Sequence, residues 1–136
     1  MAARLNPYLT FNGNAREAME FYRSVFGGEL TITTFGDFGS PDPAIADKVM
    51  HSTLRTDRGY VLMASDTAPG MTYTPGNTIT CCLNGDPGEG LEQAWEQLSD
   101  GGVVTMPFEK QMWGDLYGMC VDRFGTPWMV NVVLSQ

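Results

Sequence analysis

An internal echo limits what this chain can fold into more than any other feature. Asp122-Arg123-Phe124-Gly125-Thr126-Pro127-Trp128-Met129 reads as a turn running into an apolar strand, and Asp57-Arg58-Gly59-Tyr60-Val61-Leu62-Met63 repeats it. Asn12-Gly13 and Asn84-Gly85, 72 residues apart, each close an apolar run and open a helical pattern. Gly27-Gly28 and Gly101-Gly102, 74 apart, each end one. The turn aspartates Asp57 and Asp122 lie 65 apart, and Gly59 and Gly125 lie 66 apart. Four landmarks in one order, with offsets that short insertions explain, predict a duplicated unit of strand, helix and three strands. Two copies are too few for a solenoid. The expectation is therefore a single α+β domain over residues 1–136 with pseudo-twofold symmetry: module one at about 4–66, a linker at about 67–76, and module two at about 77–134.

Taken in order, Leu5 to Phe11 alternates Pro7, Leu9 and Phe11 against Asn6, Tyr8 and Thr10, the signature of a half-buried strand. Asn14, with Glu17 three residues on, predicts a capping box. Ala15, Ala18, Met19, Tyr22, Val25 and Phe26 follow at helical spacing, and Gly27-Gly28 stops the helix. Strands are predicted at Leu30 to Phe35, Met50 to Arg55 and Tyr60 to Ser65, the last two forming a hairpin. Gly36 to Lys48 is a long, turn-rich loop without a counterpart of equal length in the second half, a candidate lid or dimer contact. In the second half the predicted strands are Thr78 to Leu83, Val103 to Phe108, Tyr117 to Val121 and Trp128 to Val132. A helix is marked by Leu91, Ala94, Trp95 and Leu98.

The formal net charge of −8 disfavours a nucleic-acid partner, because phosphate binding needs a basic surface that eight Lys and Arg against sixteen Asp and Glu supply only locally. No apolar run reaches the ~18 residues of a membrane span, and the start of the chain lacks a signal-peptide core. A cytoplasmic protein without membrane contact is the expectation. Cys81, Cys82 and Cys120 form no CxxC pair, which predicts free thiols rather than a disulfide framework or zinc site. No serine stands in a GxSxG elbow.

The duplicated order, the helix opening Asn14-Ala15-Arg16-Glu17-Ala18-Met19-Glu20-Phe21-Tyr22 and the hairpin Asp122-Arg123-Phe124-Gly125 resemble the vicinal oxygen chelate superfamily. That superfamily includes glyoxalase I, extradiol dioxygenases and the bleomycin and fosfomycin resistance proteins. Leu5-Asn6-Pro7-Tyr8-Leu9, Phe11-Asn12-Gly13-Asn14, Met63-Ala64-Ser65-Asp66, Trp113-Gly114-Asp115 and Phe124-Gly125-Thr126-Pro127-Trp128 are similar to its PhnB-like branch. The resemblance implies duplicated βαβββ modules forming a cupped eight-stranded mixed sheet around a cavity, commonly completed in a homodimer. It also implies metal-ligand positions, which fall here on Asn6, Met63, Thr78 and Met129. Two thioethers, an amide and a hydroxyl supply no anionic donor for a divalent metal that prefers oxygen or imidazole, so no metal and no cofactor are expected. PhnB-like chains also carry a methyltransferase name for a demethylubiquinone substrate. The glycine-rich loop between strand and helix, followed by an acidic residue, that would cradle a dinucleotide or adenosyl cofactor is missing from the sequence.

Alternation assigns the cavity wall. His51, the single histidine, shares its strand face with Thr53 and Arg55 and is the candidate catalytic residue, as base, acid or ligand. A hydrogen-bonded structural histidine is the competing reading. Tyr8, Thr10, Val61, Met63, Ser65, Thr80, Cys82, Met129 and Asn131 share the same side by parity, a mixed wall that suits a small organic ligand or a filled core. Trp113, Asp115 and Tyr117 approach the penultimate strand, where an aromatic ring and a carboxylate can rim a pocket. Asp66 reads as a turn cap. The leading expectation is a metal-free binder of a small organic molecule, assembled as a homodimer. One alternative is a lyase, isomerase or dioxygenase whose relocated metal uses His51 with Asp66, Asp115 or Asn6. The other is a drug-sequestering resistance protein, for which the acidic charge suits a cationic guest.

Overall fold

A computed structural model describes residues 2–134. The element order is β1 (Tyr8–Phe11), α1 (Ala15–Phe26), β2 (Glu29–Thr34), a 3-10 turn at Gly36–Phe38, β3 (Val49–Arg55) and β4 (Val61–Asp66). It continues with β5 (Cys81–Gly85), α2 (Leu91–Ser99), β6 (Val103–Lys110), β7 (Leu116–Val121) and β8 (Pro127–Val132). The chain is α+β, and the eight strands divide into two four-stranded mixed sheets, ordered β1-β4-β3-β2 and β5-β8-β7-β6. Each sheet joins one parallel pair, β1 with β4 or β5 with β8, to antiparallel neighbours. The division into compact units falls between Pro75 and Gly76.

In the first unit α1 lies on one side of the sheet. Its buried stripe of Ala15, Ala18, Met19 and Tyr22 gives the first four predicted positions, with Val25 and Phe26 half-buried, and the helix packs on β2, β3 and β4. Phe11, Ser52, Leu54, Leu62 and Ala64 are among the buried positions of the facing strands, and Val61, Met63 and Ser65 alternate with those of β4 on the opposite face. Each large apolar side chain enclosed this way contributes about 1.5–3 kcal/mol. The helix starts differently from the expectation. Asn14 makes no side-chain cap hydrogen bond. Instead Asp66, at the end of β4, accepts the N–H groups of Gly13 and Ala15 at 2.9 Å each through Oδ1, and that of Val49 at 2.9 Å through Oδ2. A carboxylate from a distant strand thus holds the helix start through the N–H groups of Gly13 and Ala15, donors that a box of Asn14 and Glu17 would not reach.

The second unit repeats the plan, with Leu91, Ala94, Trp95 and Leu98 buried on α2 against the sheet of Leu83, Cys120, Trp128, Val130 and Val132. Trp95 stacks on Phe108 with ring centroids 5.4 Å apart. Gly118 makes room for that stack, since a Cβ there would sit 2.9 Å from both Trp95 Cη2 and Phe108 Cα.

The structure also corrects the repeat alignment. In the first hairpin Thr56 N–H bonds Tyr60 O and Gly59 N–H bonds Thr56 O; in the second, Asp122 N–H bonds Thr126 O and Gly125 N–H bonds Asp122 O. Asp122 therefore corresponds to Thr56, not Asp57. The side chains agree: Thr56 Oγ1 accepts Tyr60 N–H at 3.0 Å, as Asp122 Oδ1 accepts Thr126 N–H at 3.0 Å. Gly28 and Gly102 match as well, each lying where a Cβ would fall 2.2 Å from a carbonyl oxygen, that of Arg55 or Val121. The long loop before β3 is present in the first unit, whereas residues 111–115 suffice between β6 and β7.

Candidate functional site

The face of the first sheet turned away from α1 carries the first group of candidates. Tyr8 is the strand partner of Met63, and Thr10 of Ser65, across β1 and β4. Met63 is in turn the partner of Thr53 on β3. His51, one alternation from Thr53 on the same face, brings this surface its chemistry. The Tyr8 hydroxyl and His51 Nδ1 are 3.0 Å apart, and Thr53 Oγ1 and His51 Nε2 are 3.1 Å apart. The Tyr8 and His51 rings stack with centroids 5.7 Å apart.

A neutral imidazole has one donor and one acceptor nitrogen. Either Tyr8 O–H donates to Nδ1 while Nε2–H donates to Thr53, or Nδ1–H donates to Tyr8 while Thr53 O–H donates to Nε2. Both arrangements hold the ring in place and leave the half-exposed phenol oxygen of Tyr8 with hydrogen-bonding capacity toward solvent. The phenol and imidazole form a hydrogen-bonded pair at the surface of the sheet.

In the second unit, Asn131 Nδ2 donates to Asp115 Oδ2 at 3.1 Å, and Leu134 N–H to Asp115 Oδ1 at 3.3 Å. Tyr117 O–H donates to Met129 Sδ at 3.7 Å and packs edge-on against Trp113, centroids 5.5 Å apart. Asp115, Asn131, Trp113, Tyr117 and Met129 thus gather on one side of β7 and β8, away from α2. A shallow cavity of about 260 Å³ lies elsewhere in this unit, between the Asp86–Gly88 turn, Leu91 and Val132, and none of the candidate residues lines it.

Other candidates are dispersed. Asp66 is 4% exposed and committed to the start of α1 on the helix side of the sheet, opposite the face of His51, so these two do not share a site. Asn6 and Thr78 lie outside the strands, which begin at Tyr8 and Cys81. The residue in register with Met63 is Tyr8, and the one in register with Met129 is Cys82. Among the described residues no group of three or more His, Cys, Asp and Glu could hold a metal ion. The residues at the superfamily's metal positions do not fit a divalent metal that prefers oxygen or imidazole. At the strand-to-helix turn of the first unit the amides of Gly13 and Ala15 already serve the Asp66 carboxylate, so they are not available to cradle an adenosyl cofactor.

The thiols differ in character. Burial, reinforced by the Asp122 carboxylate, pushes the Cys120 thiol up to about 11, and burial followed by Asp122 also raises Cys81. Cys82 is exposed, on the opposite face of β5. Sequence reasoning placed Cys82 and Met129 on the wall but missed Met119, the strand partner of Met129, because register between strands is not written in local sequence.

A family model described as 3-demethylubiquinone-9 3-methyltransferase matches residues 3–131. The solved structure of protein PA1353 from Pseudomonas aeruginosa is 39% identical, covers 96% of this chain and 98% of its own, and superposes with a TM-score of 0.86. Protein YjdN of Escherichia coli is 28% identical over 97% of both chains. A glyoxalase/bleomycin resistance protein/dioxygenase family enzyme from Burkholderia phytofirmans, 15% identical over 93% of this chain and 97% of its own, shares the fold with a TM-score of 0.60.

Proposed function

We propose, for a chain that belongs to the 3-demethylubiquinone-9 3-methyltransferase family, the PhnB-like branch of the glyoxalase fold, that it binds a small oxygenated organic molecule. The ligand lies on the first sheet's face of Tyr8, Thr10, His51, Met63 and Ser65. The observation that carries this reading is the Tyr8–His51–Thr53 hydrogen-bonded chain, because it holds a phenol at the surface with an imidazole behind it. A phenol placed this way donates to a carbonyl or carboxylate oxygen, or accepts from a hydroxyl, and the imidazole balances the proton. Met63 beside it adds an adaptable apolar contact, and Thr10 and Ser65 add hydroxyls, the mixture of few polar groups on an apolar ground that small-molecule sites use. Asp115, Asn131, Trp113 and Met129 offer a secondary surface of the same mixed kind in the second unit.

The family's description names a methyltransferase; the reading rests instead on binding through the chain's own residues. Homodimer assembly belongs to the same proposal. It is supported by the exposed apolar side chains Val103 and Val104 on the sheet-edge strand β6, and native mass spectrometry checks it.

The test is a screen of small carboxylic acids, ketones and phenols by ligand-observed NMR against the full chain. Hits are then titrated into Tyr8→Phe and His51→Gln. Both variants should weaken binding about tenfold, the worth of one lost hydrogen bond to the ligand. Hits that bind both variants as tightly as the parent chain would rule the face out.

A further inference from the structure

We propose that the second unit carries a site for a soft monovalent cation of the copper(I) class, formed by Cys82, Met129 and Met119. Cys82 on β5 is the strand partner of Met129 on β8, and Met129 is the partner of Met119 on β7. Three sulfur side chains therefore stand in one row across three adjacent strands. The row lies on the face turned away from α2: the alternating neighbours Leu83, Val130 and Cys120 are buried, and Gly118, beside Met119, abuts Trp95 of the helix. Cys82 is exposed and both methionines are partly so.

Adjacent strands are about 4.8 Å apart, so the outer two residues of the row are separated by roughly 10 Å at the backbone, with Met129 between them. Methionine is unbranched with three rotatable bonds, and such side chains can bring their sulfurs together over the centre of the row. Two neutral thioethers and one thiolate are a donor set that selects soft cations and discriminates against the hard divalent ions that oxygen ligands hold. The surroundings support the sulfur ligands. Asn84 Nδ2 lies 3.7 Å from Cys82 Sγ and donates toward it. Tyr117 O–H, donating to Met129 Sδ, takes one thioether lone pair and leaves the second available.

The row belongs to this unit alone. The corresponding row of the first unit is Tyr8, Met63 and Thr53, with a single sulfur. Met106 is the strand partner of Met119, but the register of β6 shifts on both sides of it, so it is not counted among the ligands. On binding, the Cys82 S–H bond breaks, its proton passes to solvent and a sulfur–metal bond forms. The metal enters as copper(I) and its oxidation state does not change. This site is independent of the Tyr8–His51 face of the first unit, and it shares only Met129 with the secondary surface of the second unit.

The experiment is an anaerobic titration of the reduced full chain with copper(I) in competition with the chromophoric chelator bicinchoninate. One copper(I) per chain should be withdrawn from the chelator. Cys82→Ser, Met129→Leu and Met119→Leu should each weaken binding by about tenfold or more, while Cys81→Ser and Cys120→Ser leave it unchanged. Met→Leu conserves volume and keeps the sheet packed, and circular dichroism checks the fold of each variant. The proposal is overturned if the parent chain takes no copper(I), if the Cys82 and Met129 variants bind as the parent does, or if Cys81→Ser weakens binding as much as Cys82→Ser, which would indicate a vicinal dithiol instead.

Discussion

Asp66 Oδ1 accepts the backbone N–H of Ala15 at 2.9 Å across a separation of 51 residues, tying the first turn of α1 to the last residue of β4. The same carboxylate also holds Gly13 and Val49. Asp66→Ala would leave three N–H groups without their acceptor, two of these bonds being buried. It should destabilise the protein by about 3 kcal/mol, read as a lowered midpoint in urea unfolding with an unchanged slope. Asn14→Ala, at the position without a side-chain cap bond, should cost under about 0.5 kcal/mol.

Asp122 and Asp57 look equivalent in sequence and are not. Asp122 accepts Phe124 and Thr126 N–H groups through Oδ1 and Trp128 Nε1–H through Oδ2 at 2.8 Å, all around a buried carboxylate. Asp57 is exposed in its turn. Asp122→Ala should therefore destabilise by about 3 kcal/mol, while Asp57→Ala stays within about 0.5 kcal/mol. Thermal unfolding of the two variants side by side measures the difference.

Gly118 admits the Trp95–Phe108 stack by having no side chain. Gly118→Ala should overpack that contact and cost about 1–3 kcal/mol. Near-ultraviolet circular dichroism should show a changed tryptophan environment.

The thiols should separate by reactivity. Cys120 is 1% exposed with its thiol pushed up to about 11, and Cys82 is exposed. A maleimide at pH 8 should label Cys82 in the folded protein and reach Cys120 only after unfolding, as read by peptide mass mapping. The sign of the linkage follows from the raised value: the folded state keeps the Cys120 proton to higher pH than the unfolded state. Its contribution to stability is full below the ordinary thiol range and is lost as pH climbs from there toward about 11. Cys120→Ser should flatten that part of the pH–stability curve.

The sequence shows the order and type of the elements because the α1 stripe Ala15, Ala18, Met19 and Tyr22 and the alternation of Tyr8, Leu9, Thr10 and Phe11 are periodic signals decided locally. The features it hides depend on the pairing of distant strands or on hydrogen bonds within a turn. A capping box is read over four residues and points to Asn14, whereas the side chain that accepts the Ala15 N–H in the fold is Asp66. The repeat was aligned on Asp57 by identity, but the turn hydrogen bonds align Thr56, whose hydroxyl does for Tyr60 N–H what the Asp122 carboxylate does for Thr126 N–H. At the candidate site, parity alone placed His51 with Thr53; that Tyr8 would reach the other ring nitrogen required the β1–β4–β3 register. The sulfur row of Cys82, Met129 and Met119 was hidden for the same reason.

His51 is the single histidine, so the imidazole nitrogens of a histidine-labelled sample give one unambiguous pair of ¹⁵N resonances. The decisive measurement records that pair while a screened organic ligand is titrated into the full chain. Binding on the face of Tyr8 and His51 predicts a saturable shift of both resonances, strongly reduced in Tyr8→Phe because the phenol no longer links ligand to ring. A ligand that saturates the protein while both imidazole resonances stay where they are would contradict the account.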